Sequence, residues 1–294
     1  MKPPVFDYIA AASIDEALAL LEQHGEGARP LAGGQSLMPA LNFRLAAPAV
    51  LVDLNTIDAL AGMEVAADGS VVAGAMTRHR FFETSAMIEQ RLPIIHHAMA
   101  SVAHVAIRNR GTLGGSLCHA DPSAEWPALC LACDAEMVLQ NRNGTRRVRA
   151  ESFSLGLFAT ALGPAELLVQ VVFPAWPQER RWGFQEVARR RGDFAIAGVA
   201  CLVDTDAHNV CTGARIVAFG VTDRPVLLLD AAAALTGRVP GESEVQEAAH
   251  RARAALACRA DHHASAEYRS ELVEALTTRA LDQALTANGT SRYG

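Results

Sequence analysis

Apolar and polar residues follow a helical period and then a strand period over the first 57 positions of the chain. Apolar residues recur at helical spacing from 14 to 21, and Ser13 with Glu16 forms a capping box in front of them. A strand, a helical turn and a buried strand are expected next, over residues 29–32, 39–45 and 50–54. This pattern predicts a small βαβ-like unit that ends near residue 57.

Hairpin signals alternate with helical stretches between residues 58 and 176. Asp68 with Gly69, and Asn143 with Gly144, are turn pairs that lie between short runs of strand-forming residues. The strands are expected over 63–66, 71–73, 136–140, 146–148 and 167–173. Helices are expected after a capping Thr77, over 93–103, and over 124–133 with Asp121 or Ser123 as its cap.

The last part of the chain begins after a polar, proline-containing stretch over 175–181, which we interpret as a linker. Long strand-like runs over 182–190, 196–204 and 211–221 predict an antiparallel sheet. Helices are expected over 230–235, 242–256 and 266–285, the last with Leu272, Leu276, Ala280 and Leu281 inward. A separate α+β domain is therefore predicted.

The composition is that of an ordered protein, with 294 residues, half of them apolar, and a net charge of −6. The acidic balance argues against binding to nucleic acid or anionic lipid. No apolar run is long enough for a membrane span, and the N-terminus lacks the apolar stretch of a signal peptide. Six cysteines in a chain of this size indicate reduced thiols, so we expect a cytoplasmic protein.

Two glycine-rich stretches are the main functional signal. The first glycine segment, residues 30–37, reads PLAGGQSL, and the second glycine segment, residues 108–116, reads RNRGTLGGS. Glycine lets a ligand approach backbone N–H groups, and the Thr and Ser hydroxyls add donors. The helix expected from residue 124 adds an N-terminus that favours anions. We interpret the two segments as loops that hold a pyrophosphate; two ordinary tight turns are the alternative.

Other known sites do not match. No G-x-G-x-x-G follows a strand and no P-loop occurs, while both glycine segments lack the last glycine of a nucleophile elbow. Cys130 and Cys133 lie on a predicted apolar helix and are interpreted as buried thiols, since an iron–sulfur cluster needs four thiolates. The histidines have no metal-ligand spacing, so no metal site is expected. The arginines over 142–149 and 189–191 fit either solvated strand faces or a partner or cofactor contact.

Three motifs resemble a known family. They are AGGQSL at 32–37, RNRGTLGGSLCHADPSAEWPA at 108–128 and RRRGDFAIAGVA at 189–200. In order and spacing they are similar to the FAD-binding medium subunit of molybdenum hydroxylases. This is the family of the carbon monoxide dehydrogenase flavoprotein and of the flavin domain of xanthine dehydrogenase. The resemblance continues to SAEYRSELVEALTTRAL at 265–281.

The resemblance implies an α+β protein with an FAD-binding domain of the p-cresol methylhydroxylase/vanillyl alcohol oxidase type. That domain would consist of subdomains 1–57 and 58–176, and a C-terminal α+β domain, 177–294, with an antiparallel sheet and helices, would cover the flavin. Its implied pyrophosphate contacts are Pro30, Leu31, Ala32, Gly33, Gly34, Gln35, Ser36 and Leu37, with Thr112, Gly114, Gly115 and Ser116.

The remaining implied contacts lie along the rest of FAD. Glu125 resembles the ribose-binding carboxylate, where many relatives have Asp, and Asp121 is a second candidate at the adenosine end. Leu168 matches a position near the isoalloxazine. Gln185 stands where relatives often carry Lys, and Arg189 or Arg190 is the alternative for a charged contact.

The resemblance also implies the cofactors and partners. FAD would be bound non-covalently, with no catalytic residue or metal ligand on this chain. A molybdenum cofactor is expected on a large partner subunit and two [2Fe–2S] clusters on a small one, in a dimer of heterotrimers. The FAD would pass electrons to an acceptor such as NAD⁺, O₂ or a quinone. A stand-alone FAD-dependent oxidoreductase and a docking subunit without flavin are the alternatives.

Overall fold

A computed structural model describes residues 2–286 of the chain. The first 57 residues form a three-stranded parallel sheet with the strand order β1-β3-β2. Its elements are β1 (Asp7–Ala10), α1 (Ile14–His24), β2 (Ala28–Leu31), α2 (Leu37–Asn42) and β3 (Val50–Asp53). Because all three strands are parallel, their carboxyl ends meet at one edge, which prepares a ligand site there. The predicted βαβ-like unit is confirmed.

The cap of α1 follows the sequence pattern closely. Ser13 Oγ accepts a hydrogen bond from the N–H of Glu16 at 3.1 Å. The Glu16 carboxylate accepts from the N–H of Ala12 at 2.7 Å, one residue earlier than in a regular capping box. The helix buries Ala17, Leu18 and Leu21, so this prediction is confirmed.

The second sheet is antiparallel, with the order β4-β5-β10-β6-β7, and a small hairpin lies beside it. Helices surround it, several of them only one or two turns long. The strands are β4 (Met63–Val65), β5 (Val71–Gly74), β6 (Glu136–Asn141), β7 (Gly144–Arg149), β8 (Ser154–Gly156), β9 (Ala159–Thr160) and β10 (Leu167–Phe173). The helices are α3 (His79–Thr84), α4 (Ala86–Arg91), α5 (Pro93–Ala98), α6 (Val105–Arg108), α7 (Leu113–His119), α8 (Glu125–Ala132) and α9 (Ala150–Phe153).

Three predictions about this part are wrong. Thr77 caps no helix, because its hydroxyl donates to the Gly62 carbonyl at 2.8 Å and the helix starts at His79. The helix from Pro93 was expected to reach residue 103 but ends at Ala98. Ala103 itself has a φ of 48°, which a right-handed helix does not allow. Neither Asp121 nor Ser123 caps α8, because the Asp121 carboxylate accepts from the Ser123 N–H and the cap position is Ala124.

The third sheet, β11-β12-β13-β14, is antiparallel, and helices pack against both of its faces. Its strands are β11 (Arg181–Ala188), β12 (Ala195–Thr205), β13 (Cys211–Phe219) and β14 (Val226–Leu227). Its helices are α10 (Leu229–Ala233), α11 (Glu242–Ala254) and α12 (Ala266–Leu285). Leu276, Ala280 and Leu281 of α12 are buried and Leu272 is partly buried against them, as predicted. Residues 287–294 of the predicted C-terminal domain lie outside the described residues.

One hydrophobic core joins the second and third sheets. It contains Trp126 and Leu129 of α8, Phe173 of β10, and Phe184 and Phe219 of the third sheet. The Phe184 and Phe219 rings stack with their centroids 5.9 Å apart. Residues 195–221 therefore pack directly on the helices of the second subdomain, with β12 and β13 against α8 and β11 against α5.

Most arginines of the β6–β7 hairpin form surface ion pairs. Arg142 pairs with Glu22, Arg147 with Glu136 and Arg149 with Asp134, all at 2.7–3.0 Å between N and O. These arginine side chains are more than half exposed, so the pairs contribute little to stability. Of the two interpretations, the solvated strand face is the one that fits this hairpin.

Candidate functional site

The two glycine segments lie against each other. A Cβ atom on Gly33 would overlap the Arg110 carbonyl oxygen and lie 2.8 Å from Gly111 Cα. A Cβ on Gly115 would lie 3.3 Å from Ala32 Cβ and 4.0 Å from Gly33 N. Only glycine permits this approach of backbone to backbone. Stretches almost 80 residues apart in the chain are thus brought together, as the sequence predicted.

The first glycine segment presents unpaired backbone donors. The N–H groups of Gly33, Gly34, Gln35 and Ser36 have no acceptor within residues 2–286. Gly34 has a φ of 72°, which turns successive N–H groups toward one side, and the Gln35 side chain holds the turn by donating to the Gly33 carbonyl at 2.8 Å. Consecutive N–H groups in such a turn form an anion-binding concavity.

The second glycine segment differs from the expected loop. Gly114 and Gly115 lie in the first turn of α7, with Thr112 as its N-cap. The Gly114 N–H donates to the Ala75 carbonyl at 2.7 Å, and the Gly115 N–H to Thr112 Oγ1 at 3.0 Å. The prediction of a loop is therefore wrong here, and these N–H groups are already used. A ligand could still approach the backbone closely at Gly115 and could contact the half-buried Ser116 hydroxyl.

Gly114 is required by packing against Ala75, the residue directly after β5. A Cβ there would lie 2.6 Å from Ala75 Cβ and 2.9 Å from the Ala75 carbonyl oxygen. We expect Gly114→Ala to lower the free energy of unfolding by about 1–3 kcal/mol, the usual cost of overpacking. Urea unfolding of this variant and of Gly213→Ala, a position with nothing within 4 Å, would measure this. Equal midpoints for the two variants would contradict it.

A cleft of about 550 Å³ opens at the carboxyl ends of the parallel strands, beside the first glycine segment. Five predicted site residues line it: Leu31, Ala32, Gly33, Gly34 and Gln35. The other lining residues were not predicted; they are Tyr8, Met38, Pro39, Asn42, Asp53, Asn55 and Arg110. Asp53 is the last residue of a buried parallel strand, and Arg110 directly precedes Gly111 of the second glycine segment. Both positions could therefore have been predicted from the sequence as site residues.

Positive charge gathers on one side of the cleft. The Arg110 side chain is exposed and forms no ion pair within residues 2–286. Arg78 donates to the Arg110 carbonyl and to Asn55 Oδ1, the latter at 2.5 Å. Burial and the charge of Arg110 lower the pKa of Arg78. Two neighbouring guanidinium groups beside free N–H donors suit a group with two negative charges.

Asp53 also lines the cleft, and Asn55, which accepts from Arg78, lies between the two. The Asp53 carboxylate accepts hydrogen bonds from the Tyr8 hydroxyl and from the Asn55 N–H, the latter at 2.9 Å. Burial opposes its ionisation, but these hydrogen bonds and the charge of Arg78 lower its pKa overall. The cleft therefore combines an anion-binding side with a carboxylate that accepts donors.

A histidine connects α8 to the second glycine segment. The Trp126 indole N–H donates to His79 Nδ1 at 2.8 Å, so the other ring nitrogen carries the proton. A Cβ on Gly111 would lie 2.6 Å from His79 Cδ2. Burial and the charges of Arg108 and Arg78 lower the pKa of His79 to about 3, so the ring is neutral. This contact fixes the start of α8 relative to Gly111.

The other predicted residues lie outside the cleft lining. Pro30 is in β2, while Ser36 and Leu37 begin α2. Asp121 is half-buried before α8, and Glu125, the first residue of α8, is 5% exposed. Leu168 is buried in β10 beside a bulge. The roles proposed for these residues stay predictions.

Gln185 faces the helix of its own domain. Its side-chain amide donates to Gln283 Oε1 at 2.8 Å, and a Cβ on the neighbouring Gly183 would overlap the Ala280 carbonyl oxygen of α12. Side chains alternate along a strand, so Glu186 points to the opposite face together with Phe184. Glu186 was missed in the sequence, although this alternation could have identified it.

Within residues 2–286, no helix is long and apolar enough to cross a membrane, and no three or more potential ligands gather to hold a metal ion. Cys130 and Cys133 are buried in and directly after α8, and burial raises the pKa of both thiols. Their interpretation as buried apolar thiols is confirmed.

Two models of known protein families match this chain, one over its first two sheets and one over the third. A family model described as the FAD binding domain in molybdopterin dehydrogenase matches residues 4–176. The chain belongs to the FAD-binding medium subunits of molybdenum hydroxylases. A second model, the CO dehydrogenase flavoprotein C-terminal domain, matches residues 182–284 of this medium subunit.

Relatives match the medium subunit over almost its whole length. The 6-hydroxypseudooxynicotine dehydrogenase complex subunit alpha of Paenarthrobacter nicotinovorans is 40% identical over 97% of this chain and 96% of its own. Carbon monoxide dehydrogenase from Hydrogenophaga pseudoflava matches with a TM-score of 0.94, 36% identity and coverage of 97% and 98%. Quinoline 2-oxidoreductase from Pseudomonas putida 86 matches with a TM-score of 0.92 and 39% identity, over 97% of this chain and 98% of its own. The predicted family and fold class are confirmed.

The residues present fit FAD. A pyrophosphate needs backbone donors and positive charge, which Gly33–Ser36 and Arg110 supply. The close contact that places these groups side by side would be disrupted by a Cβ on Gly33. Asp53 offers a carboxylate to hydroxyl donors at the same cleft.

Proposed function

We propose that this medium subunit carries electrons from two [2Fe–2S] clusters of a small partner subunit through non-covalent FAD to an external acceptor. Oxidation of the organic substrate would take place at a molybdenum cofactor in a large partner subunit. FAD can supply this link because it takes up and gives off electrons singly or in pairs. The chain's own residues bind and orient the cofactor.

The contact between the two glycine segments supports the proposal most strongly. Free N–H groups from Gly33 to Ser36, with Arg110 beside them, would hold the pyrophosphate. Thr112, Gly114 and Gly115 would set the opposite wall, and Ser116 would add a hydroxyl. Asp121, Glu125 and Leu168 would lie along the remainder of FAD, as the family resemblance implies.

We also propose the assembly implied by the family. The chain would divide into units 1–57, 58–176 and 177–294 and would assemble with a small iron–sulfur subunit and a large molybdenum subunit as a dimer of heterotrimers in the cytoplasm. The names of the relatives refer to substrates as different as carbon monoxide and quinoline. That range is in keeping with a substrate pocket outside this subunit.

Flavin content tests the proposal. The purified chain is expected to be yellow, to contain FAD that denaturation releases, and to co-purify with molybdenum and iron when its partners are co-expressed. Protein that neither contains nor takes up FAD would refute the proposal in favour of a docking subunit. Substrate oxidation by the isolated chain would instead indicate a stand-alone oxidoreductase.

The charge of Arg110 gives a sharper test. We expect Arg110→Ala to weaken FAD binding by about 10–100-fold, since a charge-assisted hydrogen bond contributes about 1.5–3 kcal/mol. The fold should persist, because Arg78 is held by the Arg110 backbone carbonyl and not by its side chain. Titration of apoprotein with FAD, followed by flavin fluorescence, would measure the affinity.

The matched control is Arg91→Ala, which removes an equal charge from the exposed last turn of α4. Its FAD affinity should equal that of the wild type. Equal affinities for the Arg110 and Arg91 variants would exclude a phosphate contact at Arg110.

A further inference from the structure

Glu186 is a buried acid that the site described above does not use. It lies on β11, on the face that carries Phe184 and packs against the FAD-binding part of the chain. Its Oε2 atom is inaccessible to water and has no hydrogen-bond partner. The rest of the side chain is only half-buried. A buried oxygen without a donor is costly, so a proton or a ligand must satisfy it.

Glu125, the first residue of α8, lies close enough to Glu186 for its charge to act on the Glu186 carboxyl group. It is 5% exposed and makes no side-chain hydrogen bond to another residue within residues 2–286. Asp121 is the other acid near it. Two poorly solvated carboxyl groups therefore lie near each other where the FAD-binding part meets the C-terminal sheet.

Neither carboxyl group forms an ion pair with a residue in the range 2–286. On α5, His97 packs against Trp182 and Phe184, and burial lowers its pKa, so it stays neutral. On β12, the residue opposite Glu186 is Gly198, and Gln283 of α12 lies on the far face of β11.

Burial and mutual repulsion keep the pair protonated to unusually high pH. Burial raises the pKa of Glu125 to about 7, with the charge of Asp121 adding to the effect. Burial and the charge of Glu125 raise the pKa of Glu186 to about 8. Near neutral pH such a pair holds one proton that belongs to both groups.

We propose that Glu186 is a second carboxyl group of the FAD site, which shares a proton with Glu125 in the FAD-free chain and releases it when FAD binds. The inference rests on the proposed FAD-binding function. FAD is rich in hydroxyl and N–H donors, and a donor placed against a carboxylate favours its ionised form. The proton leaves the carboxyl group and passes to the solvent, so FAD affinity rises with pH through the range in which the pair titrates.

Calorimetry of FAD binding by the full chain tests this. Titrations at pH 7.5 in two buffers of different ionisation enthalpy are expected to show release of up to about one proton per FAD by the wild type. The affinity should rise by up to about tenfold per pH unit between pH 7 and 8. Glu186→Gln should release almost no proton and bind FAD with little dependence on pH. The control, Glu271→Gln on the exposed face of α12, should behave as the wild type.

Thermal unfolding of the FAD-free chain tests the protonation of the two carboxyl groups independently of FAD binding. A carboxyl group whose pKa is raised on folding is favoured in its protonated form, so stability is lost as pH rises from about 4 toward the folded pKa values near 7 and 8. The Tm of the wild type should therefore fall between pH 6 and 8 and then level off, and Glu186→Gln and Glu125→Gln should each reduce that fall. If one of these two variants fails to fold, the other alone still tests the expected change in the pH dependence of Tm.

The outcomes separate the two proposals. FAD binding without proton release, or equal proton release by the wild type and Glu186→Gln, would overturn the shared proton and leave FAD binding intact. If Glu271→Gln and Glu186→Gln lower proton release equally, the cause is the lost net charge and not the Glu186 site. That result would also overturn the shared proton. A wild-type chain that binds no FAD at any pH would overturn the proposed function itself.

Discussion

Replacing Gly33 by alanine is expected to weaken FAD binding by at least about tenfold, since overpacking a close backbone contact costs about 1–3 kcal/mol. The added Cβ would overlap the Arg110 carbonyl oxygen and lie 2.8 Å from Gly111 Cα. Both neighbours are backbone atoms, so neither can move aside as the end of a flexible side chain could. The two glycine segments would have to separate, and the free N–H groups of residues 33–36 would lose their position.

Flavin absorbance per chain after purification would measure this loss, with circular dichroism to establish that the variant is folded. Gly27→Ala is the matched control, because its Cβ would meet only Ala49 Cβ at an ordinary 3.8 Å. Full flavin content in folded Gly33→Ala would show that the contact between the segments does not shape the FAD site.

Arg108→Ala is expected to cost about 3–5 kcal/mol of unfolding free energy, the usual effect of breaking a buried ion pair. The Arg108 side chain is 8% exposed and binds both Glu83 carboxylate oxygens, at 2.8 and 2.9 Å. It also donates to the carbonyls of Val102 and Ala103 at 3.0 and 2.8 Å. Alanine would leave a partly buried carboxylate and two carbonyl groups without their donor, at the first residue of the second glycine segment.

At about 2–4 °C per kcal/mol for a chain of this size, the Tm should fall by about 6–20 °C, and FAD content should fall with it. Differential scanning calorimetry would measure this. Arg80→Ala is the control, because Arg80 binds the same Glu83 at 2.8 Å but is 45% exposed, and such pairs contribute about 0–1 kcal/mol. Similar losses in the two variants would contradict a special role for the buried pair.

Local patterns were sufficient for most elements of the fold. The helical spacing after Ser13, the turn pairs at Gly69 and Gly144, and the strand-like runs of the third sheet all correspond to elements of the structure. In each case the deciding interactions lie within a few residues in the chain: a cap, a two-residue turn, or alternation on one strand.

Predictions failed where a distant partner competes for a local group. The Thr77 hydroxyl is taken by Gly62, and the Gly114 N–H is taken by Ala75. Neither partner follows from the residues next to these positions, because both depend on how β4 and β5 pack against the helices. The same holds for Gln185 and Glu186. They differ only because α12 packs on one face of β11 and the FAD-binding part of the chain packs on the other.

The sequence by itself determined the family, the order of helices and strands, and two glycine segments suited to a pyrophosphate, because these depend on residue type and local spacing. Tertiary structure decided that Gly33 meets Gly111, that Arg110 and Asp53 line one cleft, and that Glu186 lies within reach of the charge of Glu125. These groups lie far apart in the chain, and only the packing of three sheets on common cores brings their charges and hydrogen-bond donors within reach of one another.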